Sequence, residues 1–125
     1  MRTVIAIILS VALGLFCFLS KQNLDFVADD ITDDIKAVEE LVKQGNIDGA
    51  VSKIDRIEKE WIKNEIRLAI YIDHDLLEDI GVSVSSLKAL ARADDKSLFY
   101  AKTAELHTKL IHMKDINSFS YRNFI

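Results

Sequence analysis

The chain has 125 residues, no proline, four glycines, one cysteine and a net charge of −4. A chain this short builds one modest core and leaves no room for a large enzymatic cleft, and without proline its helices can run long, so the expected fold class is all-α. Cys17 lies in an apolar run, which removes disulfides and thiolate chemistry from the rest of the chain; acids outnumber bases eleven to five in residues 22–60 and match them nine to nine in residues 61–125, and no basic stripe is present to hold nucleic acid.

Thr3 to Ser20 is an uncharged apolar stretch between Arg2 and Lys21. Its eighteen residues, at about 1.5 Å each, reach about 27 Å, against about 30 Å of bilayer hydrocarbon. Phe16, Phe18 and Leu19 occupy the places where signal cleavage needs small residues, and Phe16 precedes Cys17 where a lipoprotein also needs a small one. The expectation is an uncleaved transmembrane signal anchor over residues 1–21, with a cleaved signal and a secreted product as the alternative. Arg2 and the terminal amine on one flank, and Asp25, Asp29 and Asp30 beyond Lys21 on the other, place the N-terminus in the cytoplasm and the bulk of the chain outside the cell membrane.

Ile31, Ile35, Val38, Leu41 and Val42 recur at helical steps, with acids on the opposite face and Lys43 in the last turn. Gly45 then offers a left-handed stop, and Asn46 or Asp48 a cap for the next helix. From Ile47 a stripe of Val51, Ile54, Ile57, Trp61, Leu68, Ile72, Leu76, Ile80, Val84 and Leu87 keeps helical pitch as far as Leu90 or Ala91. It reads as one long helix or as two, with breaks signalled at Gly81 or at Asp75, where Glu78 would complete a capping box. Asp94 or Asp95 caps a last helix marked by Leu98, Ala101, Leu106, Leu110, Met113 and Ile116. Residues 119–125 form a short aromatic tail. The architecture expected for residues 22–118 is thus an extracytoplasmic antiparallel helical hairpin bundle of three long, or four shorter, helices.

Chemistry is concentrated in "IDHDLLEDI", residues 72 to 80. His74 and Glu78, four apart, share a helix face as metal ligands on helices do, but one helix supplies two donors where a site needs three or four. His107 and His112, five apart, turn about 140° from one another and do not readily serve one ion. The carboxylates of Asp73, Asp75, Glu78 and Asp79 suit general acid and base work, although no nucleophile with a partnered base and no cofactor fingerprint accompanies them. The expectation is therefore structural: Asp73, His74 and Asp75 as a capping and inter-helix hydrogen-bonding cluster, Asp73 pairing with Lys109 or Lys114, and Glu78 and His112 as further candidates. Trp61 is expected in the core, its indole N–H satisfied by Asn64 or Glu65. In the tail, Phe119, Tyr121 and Phe124 either pack on the bundle or face a partner.

Trp61 with Asn64 and Glu65, "IDHDLLEDI", Leu87 and Lys88, "AELHTKLIHMKDI" and the closing Asn123, Phe124 and Ile125 resemble the domain of unknown function 4363 family. The resemblance covers residues 61–125 best and implies a membrane-anchored or secreted helical protein of endospore-forming bacteria. It also implies a gene that neighbours one for a polytopic membrane protein, and it carries over no catalytic residues. These readings point to a non-enzymatic interaction or accessory module for another membrane protein, without cofactor or nucleic acid. The alternative is an extracytoplasmic metal or small-molecule sensor at His74 and Glu78.

Overall fold

A computed structural model describes the backbone of residues 1–70 and 72–124 and the side chains of residues 1–19, 22–70 and 72–115. It consists of four helices, α1 (Arg2–Lys43), α2 (Ile47–Leu68), α3 (His74–Arg92) and α4 (Ser97–Phe124), and no strand occurs among the described residues. The apolar run and the first amphipathic segment are one element of 42 residues, about 63 Å long at the α-helical rise. Its surface changes character along the way. From Val4 to Leu19 its large apolar side chains are exposed, whereas from Leu24 onward a stripe of Leu24, Val27, Ala28, Ile31, Ile35, Val38 and Val42 is buried.

The first turn follows its chemistry. Gly45 has φ +81°, a left-handed conformation in which a Cβ would cost about 1–2 kcal/mol, and its N–H donates to Val42 O. Of the two expected caps it is Asn46 that acts, its Oδ1 accepting the Gly49 N–H at 3.1 Å. At the other sharp turn Asp95 Oδ1 accepts from Ser97 N at 2.9 Å and from Ser97 Oγ at 2.6 Å, while the Lys96 ammonium donates to Ala91 O at the end of α3 and to Ala93 O of its C-cap, satisfying acceptors that the helix itself leaves open.

The long central stripe is divided just before Asp75 and not at Gly81. α2 stops at Leu68, and Asp73 caps α3, its Oδ1 accepting the Asp75 N–H at 3.2 Å. Asp75 lies inside the first turn and is not the cap. Between the helices Ile72 still donates to Leu68 O at 2.8 Å and is buried, so the apolar pattern continues across an interruption of the helix. Gly81 is no break. It sits within α3, where a Cβ would lie 3.0 Å from Trp61 Nε1 and 3.3 Å from Trp61 Cδ1; the glycine gives the indole its clearance.

The buried side chains of all four helices form one cluster, in which Trp61, Phe99, Ile54, Leu87 and Leu106 are among the largest. α1 packs on α2 and α4, and α3 packs on the same two neighbours. Polar links cross each of these seams: Lys53 to Asp34 between α1 and α2, Lys88 to Asp55 between α2 and α3, Lys109 to Asp79 between α3 and α4, and Lys114 to Asp29 between α4 and α1.

Trp61 and Gly81 are expected to be energetically coupled. Helix propensity alone favours alanine over glycine by about 0.8–1 kcal/mol, and the close approach of the indole opposes that gain. Gly81→Leu should destabilise by about 1–3 kcal/mol through overpacking. Gly81→Ala should be more favourable, by about 1 kcal/mol, in a Trp61→Phe background than beside the native indole. Denaturant titrations of the full chain in detergent, followed by circular dichroism, check the cycle; equal effects in the two backgrounds would remove the clearance argument.

Candidate functional site

The sequence-predicted cluster opens outward. His74 is the first residue of α3, and its Nε2 lies 3.7 Å from Glu78 Oε2, one turn on, with side chains 73% and 65% exposed. Asp75, Leu76, Glu78, Asp79 and Val82 line an open depression on the outer surface of the same helix, while Leu77, Ile80 and Val84 turn inward to the core. The segment is thus an amphipathic first turn and a half whose acids stand near the helix N-terminus, where the dipole favours negative charge.

Several expected partnerships are replaced by others. Asp73 is bound by its own helix as a cap, and the lysines proposed for it are engaged elsewhere: Lys109 with Asp79 at 3.1 Å and Glu105 at 3.0 Å, Lys114 with Asp29 at 2.8 Å. Capping is local and forms with the turn itself, so it wins over a pairing across helices. Trp61 is 2% exposed, as expected of a core residue, but its Nε1 has no hydrogen-bond partner, neither Asn64 nor Glu65; the indole edge faces the clearance left by Gly81.

The histidines do not come together. His107 Nε2 lies 2.9 Å from Glu39 Oε1 on α1, with Nδ1 buried and unpartnered, whereas His112 is exposed on α4. The set of donor atoms that does converge among the described residues contains no histidine: Asp30, Asp34 and Glu60 bring oxygens within 4.8 Å of one another across the α1–α2 seam. Asp34 also faces Lys53 at 3.5 Å. Sequence spacing gave no sign of this group, because Glu60 reaches the two aspartates only through the register of the hairpin. Asn123 and Phe124 have side chains outside the described residues, although the backbone of the aromatic tail continues α4 to Phe124.

Charge is distributed along the seams rather than gathered in a pocket. The Lys88 ammonium donates to Asp55 Oδ1 at 2.6 Å and to Glu58 Oε1 at 3.3 Å; the first bond holds the Asp55 carboxyl below its ordinary range, and both raise Lys88. Burial pulls the Lys109 ammonium down, but hydrogen bonds to Glu105 and Asp79 outweigh it and leave it raised, and Glu105 is lowered by Lys102 and Lys109. The bond to Asp29 raises Lys114. Such an arrangement fastens helices together.

A family model described as Domain of unknown function (DUF4363) matches residues 18–124. The chain belongs to this family. The DUF4363 match begins inside the apolar run and takes in Trp61, the whole DHD segment and the Asn123–Phe124 pair. Comparison with curated proteins and with solved structures finds no match.

The sign of the pH dependence follows from these links. Asp55 and Glu105, depressed in the folded protein, contribute stability that is present above the ordinary carboxylate range and is lost as pH falls through their folded values, below about pH 4. The raised Lys88, Lys109 and Lys114 contribute stability that is present below the ordinary lysine range and is lost as pH rises through their folded values, above about pH 10. Asp55→Asn should therefore flatten the rise of melting temperature between pH 3 and pH 7 and converge with the native protein at the acid end. Thermal melts across that range test it; parallel curves would show that the Asp55–Lys88 link contributes nothing.

Proposed function

We propose that this DUF4363 protein is a single-pass membrane protein with its N-terminus in the cytoplasm. Its four helices form an antiparallel extracytoplasmic bundle that serves, without catalysis of its own, as an interaction or accessory module for another membrane protein. The observation that carries the reading is α1: an 18-residue apolar window, none of it buried in the chain, on a helix whose next turns enter the core. Apolar surface of that extent is unfavourable in water, at roughly 25 cal/mol per Å², and a bilayer accepts it because the helix satisfies its own backbone groups. Between α1 and α4 Asp29 meets Lys114 and Glu39 meets His107, and between α2 and α3 Asp55 meets Lys88 and Glu58 meets Ser85; these links support an antiparallel arrangement, since positions that ascend along one helix meet positions that descend along the other.

For the partner, the outer surface of α3 is the face we favour. Val82 is exposed beside Leu76 in the depression rimmed by Asp75, Glu78 and Asp79, an apolar centre with an acidic rim of the kind that protein contacts use. A photo-crosslinking amino acid in place of Val82, irradiated in native membranes, should give a discrete adduct with an integral membrane protein. The same group in place of the exposed Lys59 on α2 should not. Adducts of equal yield from both positions, or none from position 82, would remove this face as the contact.

A further inference from the structure

Large apolar side chains remain in water on the folded part of the chain, and they are unevenly placed. Ile62, Ile66 and Ile70 follow one another at four-residue steps along the end of α2 and into the turn after it, exposed by 56%, 74% and 74%. Among the described residues, the opposite end of the α1–α2 hairpin, around Gly45, exposes no large apolar side chain, while the start of α4 exposes Leu98 and Tyr100 without a run at helical steps.

Register fixes how far these residues stand from the apolar half of α1. The hairpin folds about Gly45, and Glu60 stands beside Asp30 and Asp34. Ten residues before Asp30 lies Ser20, the end of the apolar run; ten residues after Glu60 lies Ile70. At about 1.5 Å per residue, Ile70 is level with the end of that run and Ile66 about 6 Å beyond it. A bilayer has about 30 Å of hydrocarbon within about 40–45 Å overall, so each headgroup layer is roughly 5–8 Å thick. Ile66 and Ile70 fall within this layer, and Ile62, about 12 Å out, clears it.

We infer that the end of α2 and the α2–α3 turn form a second membrane contact, a foot in which Ile66 and Ile70 enter the headgroup layer of the leaflet that α1 crosses. The occupant is lipid, because the foot is level with the boundary of the apolar run and on the same rigid hairpin. The inference rests on the membrane reading of α1. Charge near the foot is mixed: Lys63 and Arg67 on α2 are set against Glu65, Asp73 and Asp75. The isoleucines therefore carry the contact, and anionic lipid is not needed. Arg67, about 4–5 Å out, extends its head toward the phosphates along its aliphatic stem.

The test uses the full chain with Cys17→Ser, reconstituted in phosphatidylcholine vesicles and carrying one environment-sensitive thiol label after Leu13→Cys, Ile70→Cys or Leu98→Cys. Spin-labelled lipids then quench from the bilayer centre or from the headgroup level. The expected result is quenching at position 13 from the centre, at position 70 from the headgroup level and at least twofold stronger than at position 98, with no change when one third of the lipid is phosphatidylglycerol. Quenching at position 13 without quenching at position 70 overturns the foot and leaves the anchor standing. A blue-shifted but unquenched label at position 70 also overturns it, by assigning that surface to a protein. Quenching at position 70 only with phosphatidylglycerol present overturns the apolar basis. No quenching at position 13 removes the anchor, and the foot with it.

Discussion

Each of the four helices carries a stripe of apolar side chains at helical pitch, and the shared cluster those stripes form is what everything else in the molecule depends on. The stripe on α1 has two neighbours to cover it, α2 and α4. Residues such as Leu24, Ile31, Ile35 and Val38 are almost wholly withdrawn from water as a result, each a contribution of about 1.5–3 kcal/mol for a large aliphatic side chain. The ion pairs along the seams add direction more than energy. Most are half-buried and still reached by water, and pairs near the surface typically contribute no more than about 1 kcal/mol, but Lys88 beside Asp55 and Lys114 beside Asp29 reward one register and none of its neighbours.

The polar residues of the DHD segment serve that same construction. Asp73 closes the start of α3, and His74 and Glu78 lie along its outer surface. Asp75 and Asp79 join the rim of an open depression. The converging group at Asp30, Asp34 and Glu60 differs in kind, since it is assembled from two helices and exists only when the hairpin is closed.

Much of this was legible in the sequence, and what escaped did so for identifiable reasons. Gly45 and Asn46 announce the first turn because a left-handed residue followed by a cap has few other uses. The all-helical class and the buried faces follow from period alone. The break after Leu68 is hidden because periodicity reports burial and not hydrogen bonding: Ile72 keeps its place in the stripe while the helix around it has ended. Gly81 misleads in the other direction, reading as a breaker when its role is to make room for an indole on the facing helix. That role, like the meeting of Glu60 with Asp30, is a property of register, and register is written in pairs of distant residues that a single sequence does not align. Trp61 lies in the core and Asp73 caps α3, and both lack the partners that spacing suggests for the same reason.

One consequence of the helix order concerns synthesis. Chains are made from the N-terminus, and α1 is covered on one side by its neighbour in sequence and on the other by α4, which is made after the other three. As α1 leaves the ribosome its inward face has nothing to lie against; α2 arrives first, and the second flank stays open through translation of α3. Ring closure is therefore a late, non-local event, slower than the hairpins that precede it. Until then the apolar stripe of α1 is covered by α2 alone.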